Sequence, residues 1–327
     1  MIDQVSHALP HGITLSCRVS GEVGRPVLMF LHGFPEAAFA WDAMLEYFAQ
    51  PEHGGYFCIA PNLRGYENSS APKEVEAYRP KFLVQDILAL AQIVSPTAPL
   101  AGLIAHDWGG AVAWNAANQH PEAMRRLMVI NSPHPGTFLR ELQNNPEQQA
   151  ASAYMNFLIR PDAEELLAEE DFRRLWEFFT NMGAVDGPHP WLNDAIKIQY
   201  RSVWQQGLTG PLNYYRASPM RPARPGDAAA AGLHLPHSML TVQVPTCVIW
   251  GMKDIALPPG LIDGLGEFVP KLTLHRVKNG SHWLVHEQPL RVAGLIEDFL
   301  RDDKAARPVN ERTKVVRAVR APRTQRY

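Results

Sequence analysis

Short apolar runs alternate with longer amphipathic stretches through the first 131 residues. Residues 26–31 (PVLMFL), 56–60 (YFCIA), 100–105 (LAGLIA) and 127–130 (LMVI) show none of the in/out alternation of a half-exposed strand. Their continuous apolar character predicts strands covered on both faces, as in a parallel sheet. Residues 38–50, 82–93 and 109–119, lying between them, carry helical spacing. Strands that alternate with helices predict a doubly wound α/β layer.

The alternation stops at Pro133-His134-Pro135, and the chain is then helical and rich in charge and aromatics to about residue 237. Residues 162–175 (DAEELLAEEDFRRL) predict a helix there, and the Pro/Gly/Ala-rich stretch 218–232 predicts a loop. Strand-like runs resume at 241–250 and 272–277, followed by a helix over about 290–300. One α/β core formed by residues 1–133 and 238–302, with a helical cap of residues 134–237 inserted into it, accounts for this order. The basic tail, residues 303–327, carries Lys304, Arg307, Arg312, Lys314, Arg317, Arg320, Arg323 and Arg326 among few apolar residues. It is expected to be a disordered extension outside the fold rather than a nucleic-acid arm.

Composition narrows the picture only a little. The 327 residues are 46% hydrophobic with a formal net charge of -2, which asks for neither a nucleic-acid nor an anionic membrane partner. Cys17, Cys58 and Cys247 sit in apolar runs with no paired spacing, which fits a reducing compartment, and no signal-like start or membrane-length apolar run is evident. The cytoplasm is the expected location. The sequence leaves the oligomeric state open, a homodimer included.

Candidate chemistry lies at the ends of the strands. Ala105-His106-Asp107-Trp108-Gly109 follows an apolar strand and opens a helix, in the form small-x-nucleophile-x-small with Asp107 in the central place. Such a turn demands small neighbours and holds the central side chain clear of the strand, while the helix dipole favours an ionised carboxylate. An aspartate at a helix start is also an ordinary N-cap, so the other motifs must decide. His32-Gly33-Phe34-Pro35 follows an earlier strand, about seventy residues before Asp107. In strand–turn–helix sites of this kind, that loop and the residue after the nucleophile donate two backbone N–H groups to an oxyanion, here Phe34 and Trp108. His282, just past the last strand-like run, is the candidate base. His282 and His286 have i, i+4 metal-ligand spacing but lack a glutamate after the first histidine and a third ligand cluster, so no metal is expected. The acid that orients His282 must come from a strand end. Residues 129–132 (VINS) offer none, whereas residues 250–254 (WGMKD) offer Asp254, with Asp263 the weaker competitor.

A carboxylate nucleophile restricts the reaction. Serine attacking a saturated carbon would leave an inert ether, whereas aspartate leaves an alkyl ester that water can cleave at the carboxyl carbon. Epoxides and alkyl halides are the electrophiles that fit, and neither needs a cofactor.

HGFPE (residues 32–36), LRGY (63–66), HDWGG (106–110), NSPHP (131–135), WGMKD (250–254) and GSHW (280–283) resemble the α/β-hydrolase-fold epoxide hydrolases, relatives of the haloalkane and fluoroacetate dehalogenases. The resemblance covers about residues 10–300. It implies a mostly parallel, doubly wound sheet with an inserted helical cap, and small-molecule epoxides as substrates. It further implies that Asp107 is the nucleophile, His282 the base and Asp254 its orienting acid. Two cap tyrosines of that family hydrogen-bond the epoxide oxygen. Tyr154, in AYMNF, and Tyr215 rather than Tyr214, in LNYYR, match their segments.

A haloalkane or haloacid dehalogenase with the same nucleophile is the alternative. Fluoroacetate-type dehalogenases follow the nucleophile with arginine, where this chain has Trp108, and there is no arginine between Asp107 and Arg125. Haloalkane dehalogenases usually carry asparagine where Phe34 stands. A hydrolase-fold receptor that keeps the triad only for binding is a third, non-enzymatic reading. Trp176, Phe178, Phe179, Trp191 and Trp204 are expected mainly to pack the cap.

Overall fold

The computed structural model describes residues 1–302, so the expectation for the tail lies outside the described residues. These residues form one eight-stranded sheet in the order β1-β2-β4-β3-β5-β6-β7-β8. The strands are β1 (Asp3–Ala8), β2 (Thr14–Ser20), β3 (Val27–Leu31), β4 (Phe57–Pro61), β5 (Gly102–His106), β6 (Leu127–Ile130), β7 (Thr246–Gly251) and β8 (Leu272–Val277). From β4 to β8 every pair is parallel, and β2 runs antiparallel to both β1 and β4.

The central strands are buried at every position, as their unbroken apolar runs predicted. Helices α1 (Asp42–Ala49), α2 (Pro80–Val94) and α3 (Asp107–Gln119) cover the sheet in the first half. The segment between β6 and β7 carries α4 (Pro135–Asn144), α5 (Pro146–Ala151), α6 (Tyr154–Leu158), α7 (Ala163–Thr180), α8 (Asp194–Gln205) and α9 (Thr209–Arg216). After β8 come α10 (Leu284–Glu287) and α11 (Pro289–Arg301). Helix α7 is interrupted by non-helical residues at Glu169, Glu170, Asp171 and Phe172.

Two local expectations need correction, and two strands were not expected. The strand expected over 241–250 starts only at Thr246. Pro245 has no N–H to give a ladder, so pairing begins just after it. The helix expected over 38–50 opens with a 3-10 turn, Ala38–Trp41, before α1. β1 (DQVSHA) carried no buried-strand signature because it is an edge with one partner and is largely exposed, and β2 (TLSCRVS), though mostly buried, mixes polar residues into its run.

Strand order sets the position of the site. β5 ends at His106, β6 at Ile130, β7 at Gly251 and β8 at Val277. Because these strands are parallel, the loops after their carboxyl ends converge on one rim of the sheet, where doubly wound proteins bind ligands.

Candidate active site

Asp107 occupies the turn between β5 and α3 with φ +48°, a left-handed conformation that costs a non-glycine residue about 1–3 kcal/mol. Neighbours hold the turn in place. Ser132 Oγ donates to the Asp107 carbonyl at 2.6 Å, and Trp114 Nε1 donates to the Ser132 carbonyl at 3.2 Å. A Cβ on Gly109 would lie 2.4 Å from the Leu31 carbonyl oxygen, so the first turn of α3 packs directly on the β3 backbone. At Gly33 an added Cβ would meet the Asp107 side chain at 2.4 Å, and only glycine lets the two loops approach this closely.

That approach brings the Phe34 N–H to Asp107 Oδ1 at 2.8 Å. The second expected donor, Trp108 N–H, belongs to the first turn of α3, where helical amides have no intrahelical acceptor. His32 braces the loop as a neutral ring. Its Nε2 accepts from Leu63 N–H at 3.0 Å, its Nδ1 donates to the Gly33 carbonyl, and burial lowers it to about 4.

His282 Nε2 stands 3.8 Å from Asp107 Oδ2. On its other side Nδ1 donates to Asp254 Oδ2 at 2.7 Å. The Asp254 carboxylate has no solvent exposure and uses its remaining capacity fully: Oδ1 accepts from the N–H groups of Ala256 and Leu257, and Oδ2 from Asn131 Nδ2 at 2.7 Å. Burial alone would lower the His282 pKa. The charge and hydrogen bond of Asp254, with the charges of Asp107 and Glu36, outweigh it and lift the ring from 6.5 to about 9. The competitor Asp263 is exposed beyond the 3-10 turn Pro259–Ile262.

Asn131 is a residue whose importance sequence reasoning missed. It marked only a strand end without a carboxylate, yet with φ +41° it ties Asp254 to β7, its Oδ1 accepting from Gly251 N–H at 3.0 Å. Asparagine tolerates that conformation better than most residues, which is the signal the position offered.

A second missed cluster lies beneath the triad. Buried Glu36 Oε1 accepts from Tyr200 O–H at 2.8 Å and contacts His286 Nε2, while Oε2 meets His106 Nδ1 at 3.0 Å. Burial would raise the Glu36 carboxyl, but His286 and His106 hold it well below the usual range. His106 Nε2 donates to the His282 carbonyl at 2.9 Å. His106 thus bridges the Glu36 carboxylate and the backbone of His282. His282 and His286, which share metal-ligand spacing in the sequence, therefore serve different carboxylates.

Above Asp107 lies a cavity of about 420 Å³. Tyr154, at the start of α6, and Tyr215, in α9, line it together with Trp108. The rings of Tyr154 and Tyr215 are 6.3 Å apart, and Tyr215 packs edge-on against Trp108 at 5.0 Å and Phe34 at 5.2 Å. Burial, with the negative charge of Asp107 adding to it, pushes both phenols well above their usual range, and Tyr154 raises Tyr215 further, so both hydroxyls keep their protons. Tyr214 also lines the cavity, but its hydroxyl donates to the Arg64 carbonyl at 2.8 Å. Trp176, Phe178, Phe179, Trp191 and Trp204 do not line it. Trp176 meets Trp204 at 4.3 Å, Trp191 stacks on His286 at 4.1 Å and Phe179 contacts Trp283 at 4.6 Å.

Comparison with known proteins agrees with this architecture. Residues 26–289 match the alpha/beta hydrolase fold family. The chain is 34% identical over 295 residues to the AB hydrolase superfamily protein YfhM of Bacillus subtilis, covering 89% of this chain and 96% of that protein. It is 31% identical to epoxide hydrolase 3 of Xenopus tropicalis over 89% of this chain and 76% of that one. The crystal structure of a Bacillus megaterium epoxide hydrolase in complex with an inhibitor superposes with a TM-score of 0.81 at 28% identity, covering 91% of this chain and all of that one. Strand order, the turn that carries Asp107 and the match over most of the length coincide: the chain belongs to the alpha/beta hydrolase fold family.

Proposed function

We propose that this chain is an epoxide hydrolase, which converts epoxides to vicinal diols through a covalent ester on Asp107. One observation carries the reading: two protonated tyrosine hydroxyls, Tyr154 and Tyr215, share a cavity with a carboxylate that faces a histidine–carboxylate pair. In this reading residues 134–237 act as the cap that brings the tyrosines over the core.

In the first step Asp107 Oδ2 attacks a ring carbon and the carbon–oxygen bond breaks. The departing oxygen takes a proton from Tyr154 or Tyr215, the two groups placed to donate. Esterification removes the charge of Asp107, one of the influences that hold the proton on His282, so the His282 pKa falls and the ring becomes a base. In the second step His282 takes a proton from water, and the hydroxide equivalent adds to the Asp107 carboxyl carbon. Phe34 N–H and Trp108 N–H stabilise the resulting oxyanion. Collapse expels the diol oxygen, which takes a proton from His282; the second water proton, left on the Asp107 carboxyl, returns to His282, whose first proton has restored the tyrosine.

Among the described residues no arginine lines the cavity, which leaves a haloacid carboxylate without a fork-shaped partner. A single turnover in heavy-oxygen water tests the covalent route. The first diol should carry oxygen from Asp107 and the enzyme should retain the label. Heavy oxygen in the first-turnover diol would overturn it. Halide release without diol formation from matched substrates would favour the dehalogenase. For location we infer the cytoplasm, supported by three buried free thiols; secretion in cell fractionation would refute it.

A further inference from the structure

Residues 63–66 (LRGY) take no part in the triad or the oxyanion site, yet their backbone is braced from several sides. Arg64 and Asp86 of α2 are both buried and pair through two hydrogen bonds, Nε to Oδ2 at 2.8 Å and Nη2 to Oδ1 at 2.6 Å. Arg64 Nη1 donates to the Ala77 carbonyl at 2.8 Å, and His11 Nε2 meets Asp86 Oδ1 at 2.6 Å. Moving Arg64 away would leave a buried carboxylate without its counter-charge. The loop is therefore a rigid seat.

Helix α9, which carries Tyr215, rests on this seat. Tyr214 O–H donates to the Arg64 carbonyl at 2.8 Å, and Asn213 Nδ2 donates to the Lys73 carbonyl at 3.1 Å. The Tyr214 ring lies among core rings, 5.6 Å from Tyr66, 5.5 Å from Tyr78 and 5.6 Å from Trp108. In the first turn of α9 the two backbones touch, since a Cβ on Gly210 would lie 2.5 Å from the Gly65 Cα. The last residue of α9 is tied elsewhere: Arg216 pairs with Glu164 of α7 through both carboxylate oxygens, at 2.6 and 2.7 Å. Successive residues of a helix point about 100° apart, which lets the Tyr214 hydroxyl reach the seat while Tyr215 turns to Trp108 and Phe34.

We propose that Tyr214 is a positioning residue for ring opening: through its bond to the Arg64 carbonyl it fixes where the Tyr215 hydroxyl stands over Asp107. The Arg216–Glu164 pair lies within the inserted helices and moves with them. The Tyr214–Arg64 bond crosses to the core, so it sets the height of α9 above the nucleophile. Proton donation depends steeply on that height, because a misplacement of about 1 Å can cost a reaction about 10²-fold. The inference rests on the epoxide-hydrolase reading and gives a role to a tyrosine that the triad and the two proton donors leave unused.

The test is a double-mutant cycle on the alkylation burst, followed by stopped-flow tryptophan fluorescence. Tyr214→Phe removes only the hydroxyl and keeps the ring among its neighbours. It should slow the burst about three- to tenfold, the span of one hydrogen bond, and change ester hydrolysis by less than about twofold. In a Tyr215→Phe background the same substitution should slow the burst no further, because the group it positions is gone. In a Tyr154→Phe background the slowing should persist. Equal slowing in both backgrounds, ester hydrolysis slowed as much as the burst, or a lower Tm with an unaltered burst would each mark Tyr214 as packing alone and overturn the inference. If Tyr215→Phe by itself leaves the burst unchanged, or the wild type opens no epoxide, the functional reading fails and takes this inference with it.

Discussion

Replacing Asp254 with asparagine separates the two chemical steps. The carboxylate accepts four hydrogen bonds, from His282 Nδ1, Asn131 Nδ2 and the N–H groups of Ala256 and Leu257. Asparagine keeps one acceptor oxygen, so its amide nitrogen must face two donors in either orientation. If the nitrogen faces His282, the ring proton is driven to Nε2 and the atom that should receive a proton from water is already occupied. If it faces Ala256 and Leu257, the loop after β7 loses its anchors. In both cases the negative charge is gone. The lift of His282 from 6.5 to about 9 corresponds to about 3 kcal/mol of preference for the imidazolium. Without Asp254, burial dominates and the His282 pKa should fall below 6.5.

Ester hydrolysis should slow by about 10³–10⁴-fold, the scale of removing an orienting carboxylate from a triad. Alkylation of Asp107 should continue, because Phe34 N–H and the tyrosines are untouched. Stopped-flow tryptophan fluorescence should then show a burst followed by a stalled phase, and intact-mass spectrometry should find enzyme heavier by one substrate. Histidine NMR titration reports the pKa directly, and Asp263→Asn, a surface change, serves as the control. Hydrolysis within tenfold of wild type, with an unchanged His282 titration, would refute Asp254 as the orienting acid.

Three further outcomes follow. Because the folded-state pKa of His282 is raised, its contribution to stability is complete below pH 6.5 and is lost as pH rises through about 9. Urea unfolding at pH 6 and 9.5 should therefore show a loss of up to about 3 kcal/mol that Asp254→Asn lacks, and equal losses in both proteins would refute the assignment. Tyr154→Phe and Tyr215→Phe should each slow the alkylation burst about 10²-fold and leave ester hydrolysis unchanged, and an unaltered burst would remove that tyrosine from ring opening. Gly109→Ala puts a methyl group 2.4 Å from the Leu31 carbonyl oxygen and 2.6 Å from that of His32, both backbone atoms. It should cost about 3 kcal/mol and lower Tm by roughly 5 °C or more; a change under about 1 °C would show that the turn does not pack as described.

The sequence determined much of this protein on its own terms. Parallel strands buried on both faces must be apolar throughout, so residues 127–130 were legible to the residue. A nucleophile turn needs small neighbours on both sides, and Asp107 stood out because Ala105 and Gly109 frame it. Chain order brought His282 and Asp254 forward, since parallel strands deliver their following loops to one rim.

Tertiary structure decided what depends on partners distant in the chain. β1 was unreadable because an exposed edge strand has no buried face to pattern. Asn131 looked like a missing carboxylate until the fold set its amide against Asp254, 123 residues away. Glu36 sat in a quoted motif with no role, because its partners His106, Tyr200 and His286 come from three other parts of the chain. Periodicity records which face of an element is buried. Which charge meets which is fixed only when the elements pack.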